Sequence, residues 1–211
     1  MRSSERHGIR PELKASQPIH VVVRAHEDVQ PLRQPALFRA IRRATYVVAQ
    51  HADMRIVEIS IQDTHIHLLV EANNKTALAK GMQAFGVSAA RQINDALFNA
   101  TGVQRRGRVI TDRYHANVLA TPRQVRNCIA YVLNNWRHHG ADRGAKQPVD
   151  FYSSAPMFAG WSEAGTGCLI EMPSRYQSLY VREPQTWLLR VGWRKGGRPI
   201  SMFDVPGGKD D

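Results

Sequence analysis

The sequence has few cysteines, few acidic residues and no long apolar run. Its 211 residues include only two cysteines, Cys128 and Cys168, whose spacing matches no metal-binding or disulfide framework. No apolar run approaches the roughly 20 residues of a transmembrane helix, and the start MRSSERHGIR lacks the apolar core of a signal peptide. These absences predict a protein of the reduced cytoplasm that has no membrane partner.

The shortage of acidic residues gives the chain a strong positive charge. There are 29 Lys and Arg against 18 Asp and Glu, for a net charge of +11. Residues 101–137 alone carry seven Arg and a single acid, Asp112. Such density favours a polyanionic partner, above all nucleic acid, over a merely solvated basic surface. We therefore expect a cytoplasmic protein associated with the nucleoid.

Hydrophobic periodicity predicts an α+β fold. Alternating apolar residues predict strands at 19–25, 55–62, 65–71 and 109–120, the last with a bulge. Apolar residues at helical spacing predict helices at about 37–48, about 75–98 and from Thr121-Pro122 onward.

The resulting order, βαββαβ plus one helix, is typical of the ferredoxin-like, or split βαβ, antiparallel sheet. Two helices would cover one face and the third helix would lie over the other. The predicted divisions are a basic lead-in, a folded domain and an irregular C-terminal extension, at residues 1–18, 19–140 and 141–211.

Two histidines lie in the third predicted strand. Because side chains alternate along a strand, His65 and His67 share one face, while Ile66, Leu68 and Val70 share the other. If the apolar residues face the helices, both imidazoles face the open side of the sheet. Two histidines at this spacing can converge on one cation, although such a pair can also be purely structural.

This histidine strand is compatible with more than one chemistry. A histidine-triad nucleotide hydrolase would need a third histidine where the chain has Leu69. A zinc hydrolase would need a third ligand and a metal-bound water. Glu71 lies on the same face but further along the strand, so we rank it below a candidate on the third helix.

The third helix has an apolar stripe and a polar side. Helical spacing places Tyr131 and Asn135 one turn apart on the polar side, where a phenol and an amide oxygen would lie side by side. The alternative is a solvated face on which Tyr131 packs against a neighbour. The stripe contains Val125, Ile129, Val132, Leu133 and Trp136; the polar side contains Asn127, Tyr131, Asn134, Asn135 and His138.

The segment HIHLLVEA, followed by YVLNN, resembles the HUH single-tyrosine transposases, in particular the REP-associated tyrosine transposases and their chromosomal homologues. The resemblance covers residues 12–140, and WLLRVGW is similar to the tail of one bacterial subgroup. It implies that His65, His67 and Asn135 bind Mg²⁺ or Mn²⁺ and that Tyr131 is the nucleophile. Many members continue with Asn-Pro-Val, which this chain lacks, so we expect the helix to run one turn further, to Gly140.

The resemblance implies cleavage and rejoining of single-stranded DNA beside a hairpin, through a covalent 5′-phosphotyrosine. We favour a monomer over a homodimer. The alternatives are a domesticated protein that binds hairpin DNA without turnover, and a metal-dependent nucleic-acid hydrolase that uses the histidines with water. The predicted phosphate contacts are Arg105, Arg106, Arg108, Arg113, Arg123 and Arg126.

Overall fold

The computed structural model describes residues 13–166 and 170–207, so most of the predicted lead-in and Cys168 lie outside the described residues. None of the helices in these two ranges is long and apolar enough to cross a membrane. The strands are β1 (Ile19–Arg24), β2 (Met54–Ile61), β3 (His65–Ala72) and β4 (His115–Val118). The helices are α1 (Pro35–Ala49), α2 (Lys75–Thr101), α3 (Pro122–His138) and the short α4 (Trp187–Arg190).

The four strands form one sheet in the order β2-β3-β1-β4, and every neighbouring pair is antiparallel. This order confirms the predicted ferredoxin-like fold. Period-two alternation sends Ile66, Leu68 and Val70 of β3 to one face, where they are at most 4% exposed. There they join the buried side chains of α1 and α2 in one hydrophobic core. The other face is left to the odd-numbered residues of β3.

A β-bulge in β2 changes which side chains reach the second face. Ile56 pairs with Val70 and Glu58 with Leu69, so Val57 is an extra residue without its own partner. Ile56 lies in the core with α1 and α2, whereas Val57 packs on the opposite side of the sheet. Beyond the bulge Glu58 accepts a hydrogen bond from the Ser154 hydroxyl, in the C-terminal extension.

The fourth strand is shorter than the extended segment predicted for residues 109–120. Ile110 makes an isolated bridge with Ala25, and pairing resumes only where His115 meets Val22. Between these two contacts the chain covers three residues on the β1 side, from Ala25 to Val22, and five on the β4 side, from Ile110 to His115. The two extra residues leave the sheet, which is the predicted bulge in a wider form.

Helix α3 lies over the second face of the sheet. A capping box of Thr121 and Gln124 starts the helix; it ends at His138, just before Gly140 at a φ of 66°. The expected extra turn is therefore present. Asn134 and Asn135, predicted on a polar side, are fully buried instead. The reason is that α3 is covered from two directions, by the sheet and by residues of the extension.

The C-terminal extension packs closely on α3. Its buried side chains join the apolar stripe of the helix in a second hydrophobic cluster. At Gly196 the approach is so close that a Cβ atom would lie 2.4 Å from the carbonyl oxygen of Pro122. Trp193 is buried in this cluster, whereas Trp187 is 54% exposed. The extension residues of the cluster are Val149, Ala155, Trp161, Leu188, Leu189, Trp193, Ile200 and Met202.

An ion pair ties the extension to the start of α1. The Arg33 guanidinium donates two hydrogen bonds of 2.8 Å to the Asp150 carboxylate and one to the carbonyl of Ile61. Asp150 is only 1% exposed, and a buried carboxylate needs a partner of this kind. The sheet, α1 and the extension are thereby connected at one point.

Glu58 makes the docked extension sensitive to pH. Burial raises the pKa of its carboxyl to about 8, against an ordinary value of 4.5. Between these values the unfolded chain is ionised while the folded chain keeps the proton, so the free energy of unfolding falls as pH rises. We expect Glu58→Gln to remove the contribution of this carboxyl to the pH dependence. At pH 8 the free energy of unfolding of the variant should be higher than that of the wild type by about 1 kcal/mol or more.

Urea unfolding of both proteins at pH 5, 6, 7 and 8 measures this difference. The difference in the free energy of unfolding between the two proteins should widen steadily with pH. Only the wild type has a carboxyl at position 58 that must keep its proton in the folded state. Parallel pH profiles would show that Glu58 is ionised in the folded protein.

Candidate active site

The two histidines of β3 converge as predicted. The Nε2 atoms of His65 and His67 lie 2.8 Å apart. Metal-bound imidazole nitrogens lie about 2.0–2.1 Å from a cation such as zinc, so two nitrogens at this separation can be neighbouring ligands of one ion. The open face of the sheet therefore presents a bidentate pair of imidazoles.

The protein environment keeps these imidazoles neutral. Burial, and then the neighbouring His139 and Arg24, lowers the pKa of His65 to about 4. Burial, and then the nearby histidines, lowers the pKa of His67 to about 2. A neutral imidazole has the free lone pair that metal binding requires. Both side chains are thus ready to bind a cation at neutral pH.

Each of these imidazoles also has a partner on its second nitrogen. The Thr64 hydroxyl lies 2.9 Å from Nδ1 of His65, and Nε2 of His20 lies 3.0 Å from Nδ1 of His67. The sequence analysis missed His20. Its signal was present in the alternation of IHVVVRA, but only the β1–β3 register, in which Val22 faces His67, brings the two rings together.

Tyr131 points from α3 towards the histidines of the sheet. Its ring meets the His67 ring edge-on at 5.2 Å and the His20 ring at 6.0 Å, measured between centroids. These side chains share a cleft of about 650 Å³ between the sheet, α3 and the end of the extension. The lining includes His20, His67, Asn117, Arg126, Tyr131 and Arg198.

Asn135 lies one turn beyond Tyr131. Tyr131 contacts His67, and His139, two turns along the same helical face, has its ring 5.7 Å from that of His65. Asn135 lies between these two positions, so it faces the histidine strand. It is fully buried, and neither its amide oxygen nor its amide nitrogen has a hydrogen-bond partner within the described residues. A buried amide without partners is costly unless a ligand satisfies it.

Glu71, the other acidic candidate on this strand, is committed elsewhere. Its carboxylate accepts hydrogen bonds from the backbone N–H groups of Gln185 and Thr186 and lies 3.4 Å from a guanidinium nitrogen of Arg55. It therefore anchors the extension. Within residues 13–166 and 170–207, no group of three or more His, Cys, Asp or Glu could hold a metal ion. A third donor beside the histidine pair would have to be of another kind, and the unpartnered amide oxygen of Asn135 is the candidate that the sequence predicts.

His138, on the predicted polar side of α3, contacts the end of the extension. Its Nδ1 lies 3.0 Å from the carbonyl oxygen of Pro206, in the extension, so this nitrogen is the donor of a hydrogen bond. The neighbouring His139, which the sequence analysis also missed, is nearer to the histidine strand.

The six predicted DNA-contacting arginines fall into two groups. The Arg105 guanidinium donates hydrogen bonds to the Asp28 carboxylate and to the carbonyls of Gly107 and Arg108, so it stabilises its own loop. The Arg126 guanidinium donates hydrogen bonds to the carbonyls of Arg198 and Pro199 and to the Asp204 carboxylate. The other four are exposed and have no ion pair with any described residue: Arg106, Arg108, Arg113 and Arg123.

The ferredoxin-like sheet, the histidine pair on its open face and the tyrosine of α3 above that pair are the features on which the expected family resemblance rests. The family model for IS200-like transposases matches residues 14–135, which is more than half of the chain. The chain therefore belongs to the IS200-like transposase family, and the family expected from HIHLLVEA and YVLNN is confirmed.

Several solved structures are similar in fold. A REP-associated tyrosine transposase bound to a REP hairpin is 17% identical, with a TM-score of 0.46 over 69% of this chain and 78% of that one. A Deinococcus radiodurans R1 protein provisionally described as a transposase is 15% identical, with a TM-score of 0.40 over 56% and 87%. A bacterial tRNA(His) guanylyltransferase-like protein with GTP is 17% identical, with a TM-score of 0.43 over 64% and 66%. No curated protein matches the sequence significantly.

Replacing the unpartnered amide of Asn135 should have opposite effects on the stability of the metal-free protein and on its affinity for Mn²⁺. Leucine has a similar size and no polar atoms, so Asn135→Leu should raise the free energy of unfolding of the metal-free protein by about 1–3 kcal/mol. The same change should weaken Mn²⁺ binding, because it removes the oxygen donor. Urea unfolding and Mn²⁺ titration by electron paramagnetic resonance measure the two effects.

Asn134→Leu is the matched control. Asn134 is equally buried, but its amide nitrogen donates a 2.9 Å hydrogen bond to the carbonyl of Ser201. This variant should lose stability and keep its Mn²⁺ affinity. Equal destabilisation by both substitutions would contradict the role given to Asn135.

Proposed function

We propose that this protein cleaves and rejoins single-stranded DNA beside a hairpin, through a covalent 5′-phosphotyrosine on Tyr131. The observation that carries the proposal is the position of Tyr131 above His67, within one cleft of a transposase-family fold. Neutral imidazoles can bind a cation next to the phenol of Tyr131. A tyrosine on a solvated face would have no such group beside it to assist phosphoryl transfer.

Three side chains would hold the cation. His65 and His67 offer their Nε2 lone pairs and Asn135 offers its buried, unpartnered amide oxygen. An oxygen donor in the set favours Mg²⁺ or Mn²⁺ over zinc. When bound, such an ion polarises the scissile phosphate and stabilises its developing negative charge.

The chemistry of Tyr131 is a balanced exchange. Its Oη forms a bond to phosphorus, and the bond from phosphorus to the 3′ oxygen of the neighbouring nucleotide breaks. The phenol loses one proton and the departing 3′ oxygen gains one, which leaves a 5′-phosphotyrosine and a free 3′-hydroxyl. Attack by another 3′-hydroxyl reverses these steps and joins a different end. The covalent intermediate conserves the phosphodiester bond energy, so no ATP is needed.

The geometry supports action of Tyr131 within its own chain. The tyrosine ring is 5.2 Å from the His67 ring of the same molecule, and α3 follows β4 after a short connection. No second copy is needed to complete the site. We therefore propose a monomer as the active unit.

DNA binding would depend on the exposed arginines. Arg106, Arg108 and Arg113 lie on the loop before β4, and Arg123 lies in the first turn of α3. The loop leads directly into β4, and β4 and α3 both contribute residues to the lining of the cleft that contains Tyr131. Phosphates of a hairpin and its flanking strand would contact this surface.

Tyr131→Phe tests the nucleophile. Wild-type protein, Mn²⁺ and hairpin-bearing oligonucleotides from DNA flanking the gene should give an adduct that survives denaturing electrophoresis. The adduct should keep a 3′ label and lose a 5′ label, because the tyrosine holds the 5′ end of the downstream fragment. Tyr131→Phe and His67→Ala should abolish the adduct, whereas Tyr46→Phe, on the exposed surface of α1, should not.

The other two functions predict different results. Binding of the oligonucleotides with no adduct in any protein would indicate a domesticated binding protein. Release of labelled fragments without an adduct, and undiminished in Tyr131→Phe, would indicate a hydrolase that uses the histidines with water.

Arg113→Ala and Arg123→Ala test the DNA surface. Each substitution should weaken binding to all sequences about equally and reduce the slope of log affinity against log salt by about 0.7–0.9 for each phosphate that is no longer neutralised. Arg39→Ala is the control, since Arg39 is an exposed residue of α1 on the opposite face of the sheet. An equal effect of Arg39→Ala would indicate non-specific attraction to the whole surface. Fluorescence anisotropy at several salt concentrations measures the slopes.

A further inference from the structure

We propose that His20 is a positioning residue that orients His67 and fixes which of its ring nitrogens carries the proton. This inference rests on the metal site of the proposed function. Nε2 of His20 lies 3.0 Å from Nδ1 of His67, and the two rings are within 19° of parallel. The ring centroids are 5.2 Å apart, so the two nitrogens lie close to the line that joins the centroids, which is the geometry of an in-plane hydrogen bond.

The position of His20 excludes it from the cation itself. Nδ1 and Nε2 of an imidazole point away from each other, and Nε2 of His67 lies 2.8 Å from Nε2 of His65. His20 contacts the opposite nitrogen of the same ring. It can therefore influence the cation only through His67.

The hydrogen bond selects one tautomer. For Nε2 of His67 to bind a cation, its lone pair must be free, so the proton must be on Nδ1. Nε2 of His20 accepts that proton in a hydrogen bond, which also stops rotation of the His67 ring. Partners of this kind usually orient metal-binding histidines and increase their basicity.

The same pattern occurs on the other histidine. The Thr64 hydroxyl lies 2.9 Å from Nδ1 of His65, so both Nδ1 atoms are held and both Nε2 atoms are left to converge. The sheet builds this arrangement through register. Val22 of β1 faces His67, and His20 lies two residues along β1 on the same face.

His20 also touches the nucleophile. Its ring meets the ring of Tyr131 edge-on at 6.0 Å between centroids. One side chain thus contacts both the phenol and the imidazole that it faces, and it sets their relative position. This explains why the third imidazole lies in the cleft without being a ligand.

Two substitutions separate orientation from simple packing. His20→Phe keeps an aromatic ring against Tyr131 and removes the acceptor, and His20→Gln keeps an acceptor in its amide oxygen. We expect His20→Phe to raise the Kd for Mn²⁺, measured by electron paramagnetic resonance without DNA, roughly 10–100-fold. His20→Gln should restore most of the affinity. His51→Phe, the same change at an exposed histidine just beyond the end of α1, should leave the Kd unchanged.

A second measurement requires no variant. Nitrogen-15 NMR of the wild-type imidazoles in the metal-free protein should already show the His67 proton on Nδ1, because His20 selects this tautomer before any cation binds. A proton on Nε2 would overturn the proposal, even if His20→Phe failed to fold. Wild-type Mn²⁺ affinity in a folded His20→Phe protein would overturn it as well.

The failures of the two proposals are distinguishable. Unchanged Mn²⁺ affinity in His20→Phe, in a protein whose wild type forms the Tyr131 adduct, would reject only the role of His20. Intact Mn²⁺ binding that depends on His20, without any adduct, would reject only the proposed strand transfer. Absence of Mn²⁺ binding to the wild-type protein would reject the metal site and the role of His20 together.

Discussion

The alternation of side chains along β3 is the constraint on which the structure depends. One set of its residues, Ile66, Leu68 and Val70, must be buried against α1 and α2. Once that set is fixed, His65 and His67 can only point to the opposite face. A shift of one residue in register would bury the imidazoles in the apolar core and expose the aliphatic side chains. The same hydrophobic burial that stabilises the fold therefore aims the histidines.

Helix α3 completes the candidate site above that face of the sheet, and the helix is held in place because it is covered on two sides. The sheet lies below the helix and the C-terminal extension packs along it, with Gly196 in close contact with the backbone of its first turn. A helix fixed in this way cannot rotate, so Tyr131 stays opposite His67. The cost is that polar side chains such as Asn135 are enclosed without partners among the described residues.

The sequence predicted those parts of the fold that depend on local periodicity. Alternation gave the first three strands within a residue or two, and helical spacing put Tyr131 on the side away from the apolar stripe. Burial of Asn134 was not predictable, since this side chain is covered by a distant segment without periodicity, where its amide meets the carbonyl of Ser201. His20 was missed for a related reason. Its importance comes from strand register, and register is a property of two strands rather than one.

The enclosed amide of Asn135 also bears on the history of such a chain. A substitution that removes a destabilising feature costs nothing once the function that required the feature is lost. In a lineage that no longer processed DNA, an unpartnered amide would be among the first groups to drift towards an aliphatic side chain, while the surrounding core stayed intact. Under the proposed role of Asn135 in metal binding, the residue at this one helical position is expected to mark lost activity when related genomes are surveyed.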